Sequence, residues 1–296
     1  MASYRSTGTY VDVVPSPGTN VVSGRWLYKV KRPPGSPQVS KACYVYCFLF
    51  SKVQLTPLAV DHGLTAPPSD ESFESSGPYP ELVGCLMYLM TCTRLDLAYP
   101  LSVLARFVAP GRHRLSHWYA AKWVAKYVAS TSGMGLVLGR KQPVTLTCYS
   151  DSSTQGYSFS LGTGTVSWRS TRASPVSSSS CKAEVYATAM AAQELRWLSF
   201  LLTDLGERPR SPPVLFANNR SAVLLCEEPR LVGKAKHIQL RYFPLRELQQ
   251  RGQARVVRVV SEANIADIFT KALPPCDHQR FHTQLDLVPT GPHLLA

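Results

Sequence analysis

Acidic side chains are scarce in this chain of 296 residues. Only 19 Asp and Glu stand against 32 Lys and Arg, so the formal net charge is +13. A basic surface suits a polyanionic partner such as nucleic acid. It is equally consistent with a surface that is merely basic and soluble, and charge alone does not separate the two. Hydrophobic residues make up 45% of the chain, which is enough for the core of one or two domains.

Cysteine pairs at metal-binding spacing are missing. The chain has 8 cysteines, but no two of them have CxxC spacing and no histidine lies at zinc-finger spacing from them. This pattern argues against a metal–thiolate site. Several cysteines lie in apolar runs, and we expect them to be reduced and buried.

Long apolar runs are missing as well. The first seven residues contain no apolar signal core. The most apolar stretch, Cys43–Phe50, is far too short to span a bilayer. The sequence therefore predicts no membrane partner and an intracellular location, cytoplasmic or nuclear.

The first 140 residues fall into three parts that differ in composition and in hydrophobic pattern. Arg25–Lys31 has the alternation of a short strand, and the prolines that follow it predict a turn. Residues 54–80 are rich in Pro and Ser and are predicted to be a linker. From 81 to 140 the pattern is helical, with Leu82, Leu86 and Leu89 on one face.

From residue 141 the pattern predicts strands alternating with helices. Gly206 and Gly252 follow the ends of two predicted helices, as helix-stopping residues commonly do. The order β-β-β-α-β-α-β-α indicates an α/β fold in which a mixed five-stranded sheet has helices against it. The predicted strands are 143–150, 156–161, 164–169, 214–218 and 254–260, and the predicted helices are 181–203, 238–250 and 263–271.

Three details of this arrangement are predicted as well. The short Gly-containing break at 162–164 predicts a hairpin between the strands on either side of it. Leu195, Leu198 and Leu202 are expected to form the core face of the helix at 181–203. We expect the strand at 143–150 to lie in the centre of the sheet, beside the strand at 214–218.

Four polar residues stand at the ends of strands or the starts of helices: Asp151, Glu184, Asn218 and Asp267. Side chains in such positions can converge on one edge of a sheet. Carboxylates grouped there can hold two divalent ions about 4 Å apart for in-line attack on a phosphodiester. Each carboxylate also has a simpler interpretation, because Asp favours turns and acidic residues favour the first turn of a helix. Asn218 brings a neutral amide oxygen, which lacks the charge that Mg²⁺ favours.

The order of these elements resembles the ribonuclease H fold, and the sequence resembles the ribonuclease H end of copia-type retrotransposon Pol polyproteins. Each matching stretch is weakly specific, but the ordered set, which spans about 80–285, is strong. Residues 20–42 also resemble the start of the reverse transcriptase of the same polyprotein. The matching stretches are Glu81–Leu89, Thr93–Tyr99, Tyr149–Asp151, Val166–Ser170, Ser179–Ala187, Asn219–Ala222, Lys236–Phe243 and Ala266–Lys271.

The resemblance implies a domain order: a degenerate reverse transcriptase fragment (1–53), the linker (54–80), a helical connection segment (81–140), a ribonuclease H-like domain (141–285) and a tail (286–296). It also implies hydrolysis of the RNA strand of RNA–DNA hybrids with Mg²⁺ or Mn²⁺. Asp151, Glu184 and Asp267 would be the metal ligands, and these three with Asn218 the catalytic set. The residues expected to contact nucleic acid are Lys236, His237, Arg241, Arg246, Arg169 and Arg172.

The chain departs from the family pattern at several of these positions. Asn218 stands where the family has an aspartate, and Lys182 replaces an acidic residue two before Glu184. The loop after Asp151 is shortened. Residues 41–54 contain no paired carboxylates of the reverse transcriptase, so polymerase chemistry has no metal site. Two functions stay open: an RNA–DNA hybrid ribonuclease of impaired activity, or a non-catalytic nucleic-acid-binding remnant or functionless product.

Overall fold

The structure is a computed structural model that describes residues 53–65, 78–139, 145–152, 154–162, 164–172, 180–207, 209, 211–218 and 246–289; within 180–186 it describes the backbone alone. The described residues from Gln54 onward belong to one compact unit. The predicted reverse transcriptase fragment, apart from Val53, and residues 66–77 of the predicted linker lie outside the described residues.

A five-stranded mixed sheet forms the centre of the described unit. The strands are β2 (Leu146–Asp151), β3 (Gly156–Leu161), β4 (Thr165–Ser170), β5 (Val214–Ala217) and β6 (Arg255–Arg258). They lie in the order β4-β3-β2-β5-β6. β2 pairs antiparallel with β3 and parallel with β5, β3 pairs antiparallel with β4, and β5 pairs parallel with β6. The predicted fold class, a ribonuclease H-like sheet with flanking helices, is confirmed.

One long helix covers the sheet. It runs over Ser180–Asp204, close to the predicted 181–203. Its leucines Leu195, Leu198 and Leu202 recur every three to four residues, so they share one face and are buried in the sheet's core, as predicted. Gly206 follows the helix with φ of +75°, a conformation that glycine adopts without strain.

The segment before the sheet is helical. α1 (Tyr79–Cys92), α2 (Ala98–Leu104) and α3 (Leu115–Ser130) are joined by 3-10 turns at Leu95–Leu97 and Ala105–Phe107. On this numbering the long helix over the sheet is α4. In α1, Leu82 and Leu86 are buried and Leu89 is half-buried.

The helical segment shares a hydrophobic core with the C-terminal part of the chain. Leu95 and Ala98 pack with Ile268, Phe269 and Phe281 in one buried cluster. The described part of the predicted linker also packs on this segment: Leu58 is buried, and the Trp123 indole donates to the Thr56 carbonyl. These contacts make the sheet and the preceding helices one packing unit.

The C-terminal part differs from its predicted form. Residues 246–250 are helical; the rest of the predicted helix 238–250 lies outside the described residues. The predicted helix at 263–271 is instead two short 3-10 turns, Ser261–Ala263 and Ile265–Phe269. Asn264 separates them in an extended conformation, which ends the first turn and caps the second.

A further helix and a small sheet complete the described unit. α5 (Pro275–Gln284) leads into β7 (Leu287–Pro289), which pairs antiparallel with β1 (Met134–Leu136). The sequence predicted neither strand, because three-residue strands carry no readable alternation. β7 lies within what was predicted to be the tail.

No helix among the described residues is long and apolar enough to cross a membrane. The four cysteines whose side chains the structure describes, Cys85, Cys92, Cys148 and Cys276, are not in disulfides. Cys148 is buried, and burial raises the pKa of its thiol well above the ordinary value.

Candidate functional site

The ends of five strands meet at one edge of the central sheet. Because β2, β5 and β6 are parallel, Asp151 at the end of β2 lies beside Asn218, which directly follows β5. The antiparallel register places Gly156 opposite Asp151, and Ser170 opposite Gly156. We call this edge, with the residues that directly follow its strands, the site edge.

Asp151 is held by two donors from different parts of the chain. Its side chain is buried, with 4% of the residue exposed. The Asn218 amide Nδ2 donates to Oδ1 across 3.0 Å, and the Thr270 hydroxyl donates to Oδ2. Asp151 is therefore a fixed acceptor at the centre of the site edge.

Asn264 attaches the last 3-10 turn to the sheet. Its Nδ2 donates to the Ser150 carbonyl across 3.0 Å, and its Oδ1 accepts from the Ala266 backbone N–H across 3.2 Å. Asn264 is fully buried. It therefore caps the turn that carries Asp267 and fixes that turn beside β2. Sequence reasoning missed both Asn264 and Thr270, although an Asn directly before a helical turn is a recognised N-cap signal.

Asp267 is the second carboxylate at the site edge. It is 5% exposed, and its Oδ2 lies 2.7 Å from the Lys271 ammonium one turn later. Its Oδ1 is buried without a hydrogen-bond partner among the described residues. Burial raises the pKa of Asp267, the hydrogen bond from Lys271 opposes that rise, and the nearby Asp151 adds to it.

The backbone at Gly156 lies close to the turn that carries Asp267. A Cβ atom built on Gly156 would lie 2.4 Å from the Thr270 Cγ2 and 3.1 Å from the Phe269 Cβ. Thr154 donates its hydroxyl to the Thr270 carbonyl across 2.9 Å. Glycine at 156 is thus what lets the 265–269 turn reach the start of β3.

The remaining predicted site residues are distributed as follows. Glu184 lies in the first turns of α4, and its side chain is outside the description. Lys236, His237 and Arg241 lie outside the described residues. Arg246 begins the helical stretch 246–250. Arg169 lies in β4, in register with Tyr157 of β3.

Arg172 follows β4 at the site edge, and a second arginine approaches it from the helical segment. The Ser170 hydroxyl donates to the Ser102 hydroxyl across 3.0 Å, which joins the end of β4 to α2. Arg106, one turn after Ser102, donates from Nε to the Ser102 carbonyl across 3.1 Å. Burial and repulsion from Arg172 lower the pKa of Arg106. Sequence reasoning gave no reason to single out Arg106.

No described carboxylate forms an ion pair with either guanidinium, and the Arg106 Nη2 is buried without a hydrogen-bond partner in the described part of the chain. Thr171, between Ser170 and Arg172, bonds the Gln155 carbonyl through both its backbone N–H and its hydroxyl. The arginine pair is therefore connected to the loop that follows Asp151.

The side chains that the structure describes, which leave out that of Glu184, do not by themselves form a site for two divalent cations. No group of three or more His, Cys, Asp or Glu in the described residues is arranged to hold a metal ion. Asp151 already accepts from an amide and a hydroxyl, and Asp267 is paired with an ammonium group. A hard cation such as Mg²⁺ favours several charged oxygens.

Comparison with known proteins identifies the family. The chain is 34% identical over 254 residues to the Retrovirus-related Pol polyprotein from transposon RE2 of Arabidopsis thaliana, covering 82% of this chain and 17% of that protein. It is 32% identical over 235 residues to the Pol polyprotein from transposon TNT 1-94 of Nicotiana tabacum, covering 74% of this chain and 17% of that protein. The chain is a homologue of copia-type retrotransposon Pol polyproteins.

The alignments cover most of this chain but only a small part of the two relatives. This chain spans less than a fifth of the length of those two Pol polyproteins. A shorter relative, the Secreted RxLR effector protein 161 of Plasmopara viticola, is 40% identical over 132 residues, covering 41% of this chain and 92% of that protein. No family model matches the chain. The homology therefore covers most of this chain but only one segment of those two Pol polyproteins.

Proposed function

We propose that this chain is a ribonuclease H-like module that binds RNA–DNA hybrids along its site edge and cleaves their RNA strand weakly or not at all. The observation that carries binding is the arginine pair, Arg106 and Arg172. The observation that argues against full activity is the Asn218 amide beside Asp151. Homology to Pol polyproteins supports nucleic acid as the partner.

The arginine pair has the character of a phosphate contact. Two guanidinium groups that repel each other, with no described carboxylate between them, favour an anion. Arginine binds phosphate oxygens through two parallel N–H donors. A phosphodiester between Arg106 and Arg172 would relieve the repulsion.

The position of the pair suits a duplex that runs along the site edge. Arg172 lies two residues after the end of β4, and β4 is two strands from β2 and Asp151. Neighbouring strands lie about 4.8 Å apart, so the two strand ends are separated by about 10 Å. A nucleic-acid strand whose phosphate is bound by Arg106 and Arg172 would therefore pass close to Asp151. Backbone contacts of this kind position a nucleic acid, and selection of a hybrid would come from the 2′-hydroxyls of its RNA strand.

Hydrolysis by this module is proposed to be strongly reduced. Metal-assisted cleavage of a phosphodiester needs cations that stabilise the developing charge, and the described side chains at the site edge do not fit two of them. The second candidate function is a non-catalytic nucleic-acid-binding remnant. It is favoured by the Asn218 amide, which donates to Asp151 where the family has an aspartate. Binding is common to both candidates, and turnover separates them.

The test is binding of the purified full chain to a fluorescent RNA–DNA hybrid, followed by anisotropy at several salt concentrations. Arg106→Gln and Arg172→Gln are each expected to weaken binding and to lower the salt slope by about 1, as expected for one lost phosphate contact. Arg255→Gln is the matched control, because this exposed arginine begins β6 at the opposite edge of the sheet.

The same samples give the turnover measurement. With Mg²⁺ added, wild type is expected to leave the RNA strand of the hybrid intact or to cleave it slowly. Equal binding of the hybrid by all four proteins would reject the arginine pair as the contact. Cleavage that depends on Mg²⁺ and is abolished by Asp151→Asn would show a competent ribonuclease and overturn the proposed loss of activity.

A further inference from the structure

We propose that the site edge is charge-compensated by its own side chains, with the Asn218 amide and the Lys271 ammonium in the places of divalent cations, so that the fold is independent of Mg²⁺. The proposal concerns the same edge as the proposed function, but it rests on the contacts of Asp151 and Asp267 and not on nucleic acid binding.

Asn218 supplies the first part of the compensation. Its Nδ2 lies 3.0 Å from the Asp151 Oδ1 and donates to it. With a carboxylate at 218, two like charges would face each other at that distance in a buried site. Like-charged groups so close cannot both stay ionised unless a cation or a proton lies between them. The amide removes that requirement.

The orientation of the Asn218 amide supports its proposed place as a substitute for a cation. Its Oδ1 is buried and has no hydrogen-bond partner among the described residues, whereas its Nδ2 faces the carboxylate. A cation at this place would be bound by the oxygen, so the amide would have to turn and the Asp151 Oδ1 would lose its donor. The contact between Asn218 and Asp151 is thus an alternative to a bound cation.

Lys271 supplies the second part. Its Nζ lies 2.7 Å from the Asp267 Oδ2, and the Asp267 side chain is 7% exposed. The two residues are four apart, so the turn that carries Asp267 also brings the ammonium to it. Lysine offers a compact point charge, as a metal ion does. Asp267 is therefore neutralised by a cation that is part of the chain.

Together these contacts join two carboxylates to one ammonium group and two neutral donors. Asp151, Asp267 and Lys271 sum to a single negative charge, and the Thr270 hydroxyl and the Asn218 amide both donate to Asp151. An aspartate at 218 would double that charge. Unbalanced charge in a partly desolvated site is unfavourable. We therefore expect Asn218→Asp to make the stability of the fold depend on Mg²⁺.

The test is thermal unfolding of the full chain in EDTA and over a Mg²⁺ titration, with NaCl at matched ionic strength as the reference. Wild type is expected to show no Mg²⁺-specific change in Tm. Asn218→Asp is expected to lower the Tm in EDTA by about 4 °C or more, and Mg²⁺ is expected to restore most of the loss with a saturable dependence. The matched control is Gln279→Glu, which adds the same charge at an exposed position of α5 and should not respond to Mg²⁺ specifically.

A second variant keeps the test decisive if Asn218→Asp does not fold. Lys271→Gln removes the internal cation and is expected to gain a saturable Mg²⁺-dependent rise in Tm, whereas Lys271→Arg is expected to behave as wild type. A saturable, Mg²⁺-specific rise in the Tm of wild type would overturn the proposal, and so would variants at 218 and 271 that stay insensitive to Mg²⁺. No nucleic acid is present, so failure of hybrid binding and failure of this proposal give different results.

Discussion

The Tyr127 hydroxyl donates to the Asp96 carboxylate across 2.6 Å, in the buried space between α3 and α5. Arg94 donates to both oxygens of the same carboxylate, at 3.0 and 2.8 Å, and reaches the Thr131 carbonyl at the end of α3. His282 of α5 lies 3.2 Å from the Tyr127 hydroxyl. One buried carboxylate therefore ties the helical segment to the C-terminal helix.

We expect Asp96→Ala to be strongly destabilising. Burial alone would raise the pKa of Asp96, but Arg94 outweighs it and holds the pKa at about 2, so the carboxylate is charged. Its removal leaves the buried Arg94 guanidinium unpaired, which costs about 3–5 kcal/mol. Urea unfolding gives the value. The control is Asp277→Ala, whose ion pair with Arg280 is partly exposed to solvent, so that change should cost no more than about 1 kcal/mol.

Acid is expected to destabilise the protein through His278. Burial, reinforced by repulsion from His282 and Arg94 and opposed by Asp96, lowers the pKa of His278 to about 3 from 6.5. The folded protein thus keeps His278 neutral where the unfolded chain binds a proton. The contribution of neutral His278 to the free energy of unfolding is complete above about pH 6.5. It falls by about 1.4 kcal/mol for each unit by which the pH is lowered between 6.5 and 3.

The measurement is the free energy of unfolding from pH 7 to pH 4 for wild type and His278→Gln. The difference between their slopes isolates this histidine from the other groups that titrate in acid. Burial also lowers the pKa of the neighbouring His282, so a residual slope of the same sign is expected in the variant. Identical slopes for the two proteins would contradict the assignment.

Gly156→Ala is expected to destabilise the site edge by about 1–3 kcal/mol, the usual range for overpacking. The added methyl would meet the Thr270 Cγ2 at 2.4 Å. Thr270→Ser removes that methyl and keeps the hydroxyl that donates to Asp151. The double variant should therefore regain part of the loss, and a double-mutant cycle in urea measures the coupling. Strictly additive effects would show that the contact with Thr270 is not the cause.

The ribonuclease H-like sheet is expected to be unstable without the helices that precede it. Leu95 and Ala98 pack on Phe269 and Phe281, so a fragment that begins at residue 141 exposes that cluster. We expect limited proteolysis of the full chain to leave a protected fragment that includes 79–130. Unfolding of a 141–296 fragment at the same urea concentration as the full chain would refute the shared core.

The sequence predicted the sheet because each strand carries its own signal. The alternation and Gly-containing breaks around 156–169 marked a hairpin, and the leucines of α4 marked the face that covers the sheet. The prediction that the strand at 143–150 lies in the centre, beside that at 214–218, is confirmed by the strand order. Local pattern was sufficient because these elements are long or regular.

What the sequence did not predict depends on contacts between distant residues. Asp96 and His282 are unremarkable in the sequence, and only the packing of α3 on α5 brings them together. The turn that carries Asp267 was predicted as a helix because its apolar spacing fits one, whereas Asn264 bonds the Ser150 carbonyl and restricts it to 3-10 turns. The catalytic and nucleic-acid-binding roles of the predicted site residues stay predictions.

The pairing of β1 with β7 has a consequence for synthesis of the chain. Met134 is in register with Pro289, so the first strand of this pair has no partner until the last described residues leave the ribosome. At about 5–20 residues per second, that delay is on the order of ten seconds. During translation the α3 end and the hairpin near Gly164 therefore lack their closing strand, and nascent chains that terminate early are the ones most exposed to chaperones and proteases.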